Sequence, residues 1–409
     1  MENRSRTESM PITIDVGQEA GDLTGSDGRV IQAAVDYVSR LGGGTVRLGP
    51  GSYRLDNSLF LRSGTQLIGK GEETILTTGP GARQPLLRDA DWYESAVEVE
   101  DVSGYGPGSG IMLRSFDSDG RLKNVVRQTV TRIEGNVLWL SGRLRSNMWL
   151  EDEACATPIF PLITAEEETH GVQVEDIVLD GNADENEEIN GNYSGGVFIQ
   201  RCDRWSFKGV TSRNYNGDGF SFQVCDDIQF DHCKALDNAN LGFHPGSGSQ
   251  RPVFRDCTAT GNRLGIFFCW GVTGGIVEDC VCSNNRDFGI SIGHRDTDNQ
   301  IQNTEIESNQ KVGILFRDQG AFRGGHRNVI RSCVIRDNGF EREGVGVDVT
   351  GETVDITLVD NVISDSGAGS QKIGIRVGEG ASRVEADQNT FLGLVDDVDR
   401  VGKGKEKSS

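Results

Sequence analysis

From about residue 166 onward, apolar and polar positions alternate in short runs closed by turn residues, and the runs recur. A Gly-apolar-x-apolar motif stands at Gly196 (GVFI), Gly219 (GFSF), Gly242 (GFHP), Gly265 (GIFF), Gly289 (GISI) and Gly313 (GILF), at spacings of 23, 23, 23, 24 and 24. Looser copies follow at Gly346 (GVDV) and Gly374 (GIRV), where the wider gaps read as loops inserted into single turns. Asparagines keep a second register (Asn214, Asn238, Asn262, Asn285, Asn309), and Cys233, Cys257 and Cys280 a third, with Cys333 further on. Alternation with period two means strand. A unit this short has no ten-residue helical pattern and cannot bury its own apolar face, whereas stacked units can. The pattern therefore predicts an all-β solenoid, a right-handed parallel β-helix with one coil per 23–24 residues. Coils would stack at about 4.8 Å, placing Asn on Asn at a turn and Cys on Cys in the core. The leucine signature of the rival horseshoe repeat is absent.

Ahead of the repeats, residues 29–40 (RVIQAAVDYVSR) carry apolar residues at helical spacing and end at Leu41-Gly42-Gly43-Gly44. That spacing predicts an amphipathic helix stopped by glycine and covering the open edge of the first coil. Strands are expected in TVRLGPGSYRL and TQLIGKG. Between Ala82 and Ile163 the 23-residue register is lost, and AVEVEDV, GIMLRS and QTVTRIEGNVLWL read instead as an inserted antiparallel hairpin module. The register resumes at VEDIVLDGN (174–182). The expected divisions are a cap and first coils over 1–81, the insert over 82–165, the main β-helix over 166–398 and a disordered polar tail over 399–409.

Composition narrows the function. Glycine, 55 of 409 residues, suits many tight turns, and with 9 prolines and no G-X-Y period collagen is excluded. Lys and Arg number 41 against 62 Asp and Glu, a net charge of −21. That charge argues against nucleic acid and against adsorption to anionic lipid. An acidic ligand would need a locally basic groove or bridging Ca²⁺. Nine cysteines without paired CxxC motifs read as small packing residues. No stretch approaches the roughly 18 apolar residues of a membrane span. The polar start MENRSRTESMPITIDVG holds no secretory apolar region, so the chain reads as cytoplasmic.

The opening IQAAVDYVSRLGGGTVRLGPGSYRLDNSLFLRSGTQLIGKGEETIL resembles the N-terminal cap and first coils of the pectate lyase-like superfamily. IVLDGN and the coils after it extend the likeness nearly to the end of the chain, and NYNGDGFSFQ, LGFHPGSGSQRP and FGISIGHRDTDN resemble a group of bacterial β-helix proteins without an assigned reaction. The resemblance implies binding of a polysaccharide or oligosaccharide along one sheet, with lyases, hydrolases and uronate epimerases all represented; the fold alone does not name the reaction. It leaves room for Ca²⁺ and for a monomer or a homotrimer. Measured against polygalacturonase-type hydrolases, NGDG (216–219) puts Asp218 at a catalytic position, but Asn240-Leu241 stands where paired aspartates belong and Arg263-Leu264 where a histidine belongs. Alginate-type epimerases and related lyases carry G-F-D-P-H; here GFHPG (242–246) places His244 at their aspartate and no histidine two residues later.

If the first apolar residue after each glycine points inward, the next points out. The outward row is then Phe198, Ser221, His244, Phe267, Ser291 and Leu315, followed by Gln200, Gln223, Gly246, Cys269, Gly293 and Arg317. Loops leaving that sheet carry Trp270, His294-Arg295-Asp296 and Asp318. The candidate catalytic residues are His244, His294, Asp218, Asp296 and Arg317; Gln200, Gln223, Phe267, Trp270, Arg295 and Asp318 are the candidate sugar contacts. An imidazole near its ordinary pKa suits removal of the proton next to a uronate carboxylate, with Arg295 or Arg317 stabilising the enolate. The bland alternatives are a surface histidine, a self-satisfied turn in which Asp296 caps backbone amides, and an Arg317–Asp318 ion pair. The reading leans to lyase or epimerase. Hydrolysis by Asp218 with Asp296 or Asp318, and a non-catalytic glycan-binding or structural β-helix, remain the alternatives.

Overall fold

The computed structural model describes residues 12–340, 344–367 and 370–401. The helix forms at Gly28–Arg40, with the Asp27 side chain accepting from the Arg29 backbone N–H at 3.0 Å at its start. Ile31, Ala34, Val35 and Val38 bury one stripe against the first coil. It ends because Gly42 and Gly43 take φ of 99° and 110°, where a side chain is strained.

Beyond it, each coil contributes three short parallel strands, for example Ser206–Lys208, Thr211–Arg213 and Asp218–Gln223. The third strands make one eleven-stranded sheet running from Leu59–Leu61 through Ile163–Ala165, Gly195–Gln200 and Leu241–Pro245 to Asp396–Arg400. That last strand pairs with Ile373–Val377, so the β-helix reaches Arg400 and only 402–409 of the expected tail lie outside the described residues. The insert is antiparallel, in the order Gln84–Pro85, Cys155–Thr157, Gly110–Phe116, Leu122–Glu134, Val137–Leu140, Ala96–Glu98, around its own core of Val97, Ile111, Leu113, Val130 and Leu138. Among the described residues no helix is long and apolar enough to cross a membrane.

Stacking in register is what holds the solenoid. Phe207, Phe230 and Phe254 lie face to face at 4.9 and 5.1 Å, beside the pair Phe220–Phe243 at 4.9 Å. Higher coils replace them with Val277, Ile301 and Ile330. At one corner the amides of Asn238, Asn262, Asn285, Asn309 and Asn338 form a ladder in which each Oδ1 accepts the backbone N–H and Nδ2 of the rung before it. Asn214 is not its first rung. Tyr215 occupies that position, its N–H donating to Asn238 Oδ1 at 3.1 Å, while Asn214 is the left-handed residue one step earlier, with φ 49°. The Cys202–Cys225 and Cys257–Cys280 pairs are rungs of another kind, a backbone N–H pointing at the next sulfur at 3.4 Å in each.

Candidate active-site cleft

The outward row forms as expected. Phe198 pairs with Ser221, Ser221 with His244, and Phe267 with Ser291 and then Leu315. It is not exposed, however: Phe198, Ser221, His244 and Ser291 are all buried. The insert and the inter-coil loops cover them. Arg127, on the insert strand Leu122–Glu134, lays its guanidinium 4.4 Å over the Phe198 ring. The loop at Gly191 closes over the next coil so tightly that a Cβ there would fall on the Asp218 carboxylate, and its carbonyl accepts from Ser221 Oγ at 2.7 Å.

Under that cover His244 Nδ1 donates to Asp218 Oδ2 at 2.7 Å. Asp218 is 0% exposed, and its Oδ1 accepts the Leu241 backbone N–H at 3.1 Å. Burial works against the His244 imidazolium, but the bond to Asp218, that carboxylate's charge and the nearby Cys269 outweigh it and push the pKa up to about 9. The other ring nitrogen, Nε2, is buried and has no hydrogen-bond partner among the described residues. His244 thus forms part of the wall of a cleft of about 780 Å³ bounded by Arg127, the 190–193 loop, Gln200, Gln223, Arg263, Phe267, Cys269 and Trp270. None of the residues lining it is Asp or Glu, in a chain that carries 62 of them. A second cavity of about 500 Å³ between the insert and the first coils shares Arg127 as a wall. That second cavity is lined by Glu166 as well.

Residues 166–271 and 247–391 match the family model of the right-handed β-helix region. The chain belongs to the right-handed β-helix family. Among relatives, it is 24% identical over 323 residues to the mannuronan C5-epimerase AlgE5 of Azotobacter vinelandii, an alignment taking in 78% of this chain and 24% of that protein. The chain therefore spans about a quarter of the length of the curated relative it matches. The A-module of the mannuronan C-5 epimerase AlgE4, also from Azotobacter vinelandii, superposes with a TM-score of 0.59 at 17% identity, over 95% of this chain and all of the other. PfbA, a surface adhesin of Streptococcus pneumoniae, does so with 0.56 at 12% identity, over 94% of each.

In this β-helix the expected site residues divide. Asp218, His244, Gln200, Gln223, Phe267 and Trp270 come together at the cleft, Asp218 from behind His244. Asp296 does not join them. Its carboxylate is 0% exposed and accepts from the N–H groups of Gly271, Val272 and Gly293 at 2.9–3.0 Å and from Arg317 at 2.9 Å. Burial pushes it up to about 6 against the pull of Arg317 and those N–H groups. Arg317 is likewise occupied: its guanidinium donates to Ser291 Oγ, Phe268 O, Gly293 O and Asp296, and it rides 4.4 Å over Phe267. It clamps the coils and has no donor fork free for a uronate. Its partner is Asp296, not the exposed Asp318.

His294 stacks flat on Trp270, 4.2 Å between ring centres, and so supports an indole that is 53% exposed at the rim. Burial and the charges of Arg323, Arg295 and Arg317 lower its pKa, keeping the ring neutral. Arg295 is exposed and lies over Phe322 instead of the cleft. Sequence patterning missed Arg127, Arg263 and the 190–193 loop. Arg127 sits in the insert, where the 23-residue register offers no frame for it.

Ca²⁺ fits this cleft poorly. It takes six to eight oxygen ligands, typically carboxylates, and the lining offers none. In the acidic run after Asp180-Gly181-Asn182, Glu187 is paired with Arg83 and Arg114, Asp180 with Arg213, and Glu185 accepts from the Asn182 amide. Those donors already have partners.

Proposed function

We propose that this β-helix is a carbohydrate-active enzyme that takes an acidic, uronate-bearing polysaccharide or oligosaccharide in the cleft and transfers a proton at the carbon beside the sugar carboxylate, as a lyase or a uronate epimerase. The observation that carries this reading is a cleft whose lining holds no carboxylate and presents Arg127, unpaired among the described residues, in a protein of net charge −21. Arg263 beside it is tied to Asn240 and Asp287, and the charge on His244 is balanced by Asp218 behind it. Such a lining draws an anionic glycan out of an otherwise repelling surface. Arg127 is exposed in the groove and has no ion-pair partner among the described residues, so its fork is free for a carboxylate. Neutralising that carboxylate makes the neighbouring C–H acidic and stabilises the enolate. Trp270 offers its face to a sugar ring. The names of AlgE5 and the AlgE4 module, both C5-epimerases of mannuronan, support the same substrate class.

A pKa of about 9 changes the role expected of His244: the ring is a proton donor at neutral pH, not a base. Hydrolysis by paired carboxylates is less well supported, since Asp218 and Asp296 are enclosed and Asp318 lies outside the cleft lining. A binding role remains the second reading, favoured by the superposition on the PfbA adhesin.

A panel of uronate and neutral polysaccharides, with and without Ca²⁺, read at about 235 nm and by reducing ends, tests the proposal. Absorbance growing on uronates alone, and lost in His244→Gln, establishes the lyase. Reducing ends without absorbance overturn the proposal in favour of hydrolysis. Uronate binding with neither signal and no exchange at C5 leaves the adhesin-like reading.

A further inference from the structure

The loop edge of the cleft carries an arrangement that packing alone does not require. Several coils leave the third strand through a turn residue of left-handed backbone, among them Val224 (φ 53°), Trp270 (φ 58°) and His294 (φ 54°). A tryptophan is a costly occupant of that conformation, and this one is not used for burial, since it stays 53% exposed. One face of its indole is covered by His294 of the next coil, 4.2 Å away and within 9° of parallel. The other face looks back toward Ser247 and Val224 of the preceding coils, which line the cleft with it. Ser247 is small, and Val224, two coils or about 10 Å from Trp270 along the axis, is itself 49% exposed. With contacts of about 4 Å on either side, that gap admits one pyranose ring.

The two turns are pinned to one another. The buried Asp296 carboxylate accepts from the N–H groups of Gly271 and Val272, in the turn of Trp270, at 2.9 and 3.0 Å. It also accepts from the N–H of Gly293, just before His294, at 2.9 Å, and Arg317 balances its charge. One carboxylate thus fixes both backbones and sets the two rings face to face.

We propose that Trp270 is the sugar-stacking platform of the cleft, taking the C–H face of one pyranose ring, with His294 and Asp296 as the positioning residues that hold the indole in place. The ligand class rests on the glycan reading above. Phe267 is the coil equivalent of His244, their rings 5.5 Å apart, and Trp270 follows Phe267 by three residues. The ring on Trp270 therefore belongs to a sugar neighbouring the one at His244. The arginines of these turns are engaged elsewhere, Arg317 with Asp296 and three oxygen acceptors, Arg295 over Phe322. The platform thus reads the C–H face against an electron-rich indole, and a neutral sugar and a uronate serve it equally. Charge is selected at Arg127, on the insert; Trp270 sets the position of the chain along the sheet.

Of the five tryptophans, Trp270 is the one that lines the cleft, so its emission reports the platform without any turnover. Titration with oligouronides and with neutral oligosaccharides of increasing length should shift tryptophan emission, and the shift should vanish in Trp270→Ala of unchanged circular dichroism. By calorimetry that variant should bind about tenfold more weakly, by the same factor at low and at high salt. His294→Ala should lose about threefold, and His294→Phe, which restores a flat ring behind the indole, should recover the native affinity and emission. Emission that no glycan of either set moves, affinity undiminished in Trp270→Ala, or a loss that disappears at high salt each overturns the platform. His294→Phe as weak as His294→Ala overturns the positioning role. Trp270-dependent binding of neutral oligosaccharides without binding of any uronide leaves the platform standing and refutes the uronate reading. Uronide affinity and turnover undiminished in Trp270→Ala do the reverse.

Discussion

Replacing Asp218 by Asn tests the dyad at its anchor. The change is nearly isosteric: the amide oxygen can still accept the Leu241 N–H, but the charge facing His244 Nδ1 is gone. In the native protein burial is the largest influence on His244 and opposes the imidazolium; it is overcome chiefly by Asp218 to reach about 9. Without the carboxylate that burial prevails, and the pKa falls below the ordinary 6.5. A fall of at least ~2.5 units corresponds to about 3 kcal/mol at this one ring. At pH 7.5 the protonated fraction would drop from about 97% to under about 10%. Stability follows the same linkage. A group whose pKa is raised on folding stabilises fully below its unfolded value and loses that contribution as pH climbs to the folded one. The native protein should therefore lose about 3 kcal/mol between pH 6.5 and 9 from this group, a loss missing in Asp218→Asn. Titrating the Cε1–H signals of the five histidines by NMR, with urea unfolding at pH 6 and 9, measures both. A His244 signal still titrating above pH 8 in Asp218→Asn, or near 6.5 in the native protein, would show that Asp218 does not hold the ring protonated.

Arg127→Ala should weaken binding of an acidic glycan about tenfold and flatten its salt dependence while leaving neutral glycans unaffected, as seen by titration calorimetry at two ionic strengths. Asn262→Ala removes the acceptor for the buried Asn238 N–H and the donor to Ala235 O, and should cost about 2–4 kcal/mol in denaturant unfolding. Phe230→Ala opens a cavity between Phe207 and Phe254 and should cost about 3–5 kcal/mol by the same assay; a loss under about 1 kcal/mol would mean that the stack collapses freely.

The repeat made the solenoid legible because stacking forces equivalent residues into one column: the glycines at 23–24-residue spacing land on paired strands, and the Asn ladder satisfies its own amides. Asn214 misled because one residue of slip is invisible to spacing when Tyr215, a different residue type, fills the rung. Strand alternation correctly sent Ser221 and His244 outward, but it carries no information on what lies above a sheet. The insert and the Gly191 loop decide that, and with them the burial that sets the His244–Asp218 pair. For the same reason Asp296 and Arg317 looked like free chemistry in the sequence. Only the fold shows them joined to one another and to three backbone N–H groups.

Proton transfer next to a carboxylate in this cleft is measured directly by solvent exchange at that carbon. Uronate polymers incubated with the protein in D₂O and followed by NMR should gain deuterium at C5, or lose that proton to a new double bond, with neither change in His244→Gln. A C5 proton that persists through prolonged incubation with every uronate polymer bound by the cleft would contradict proton transfer there.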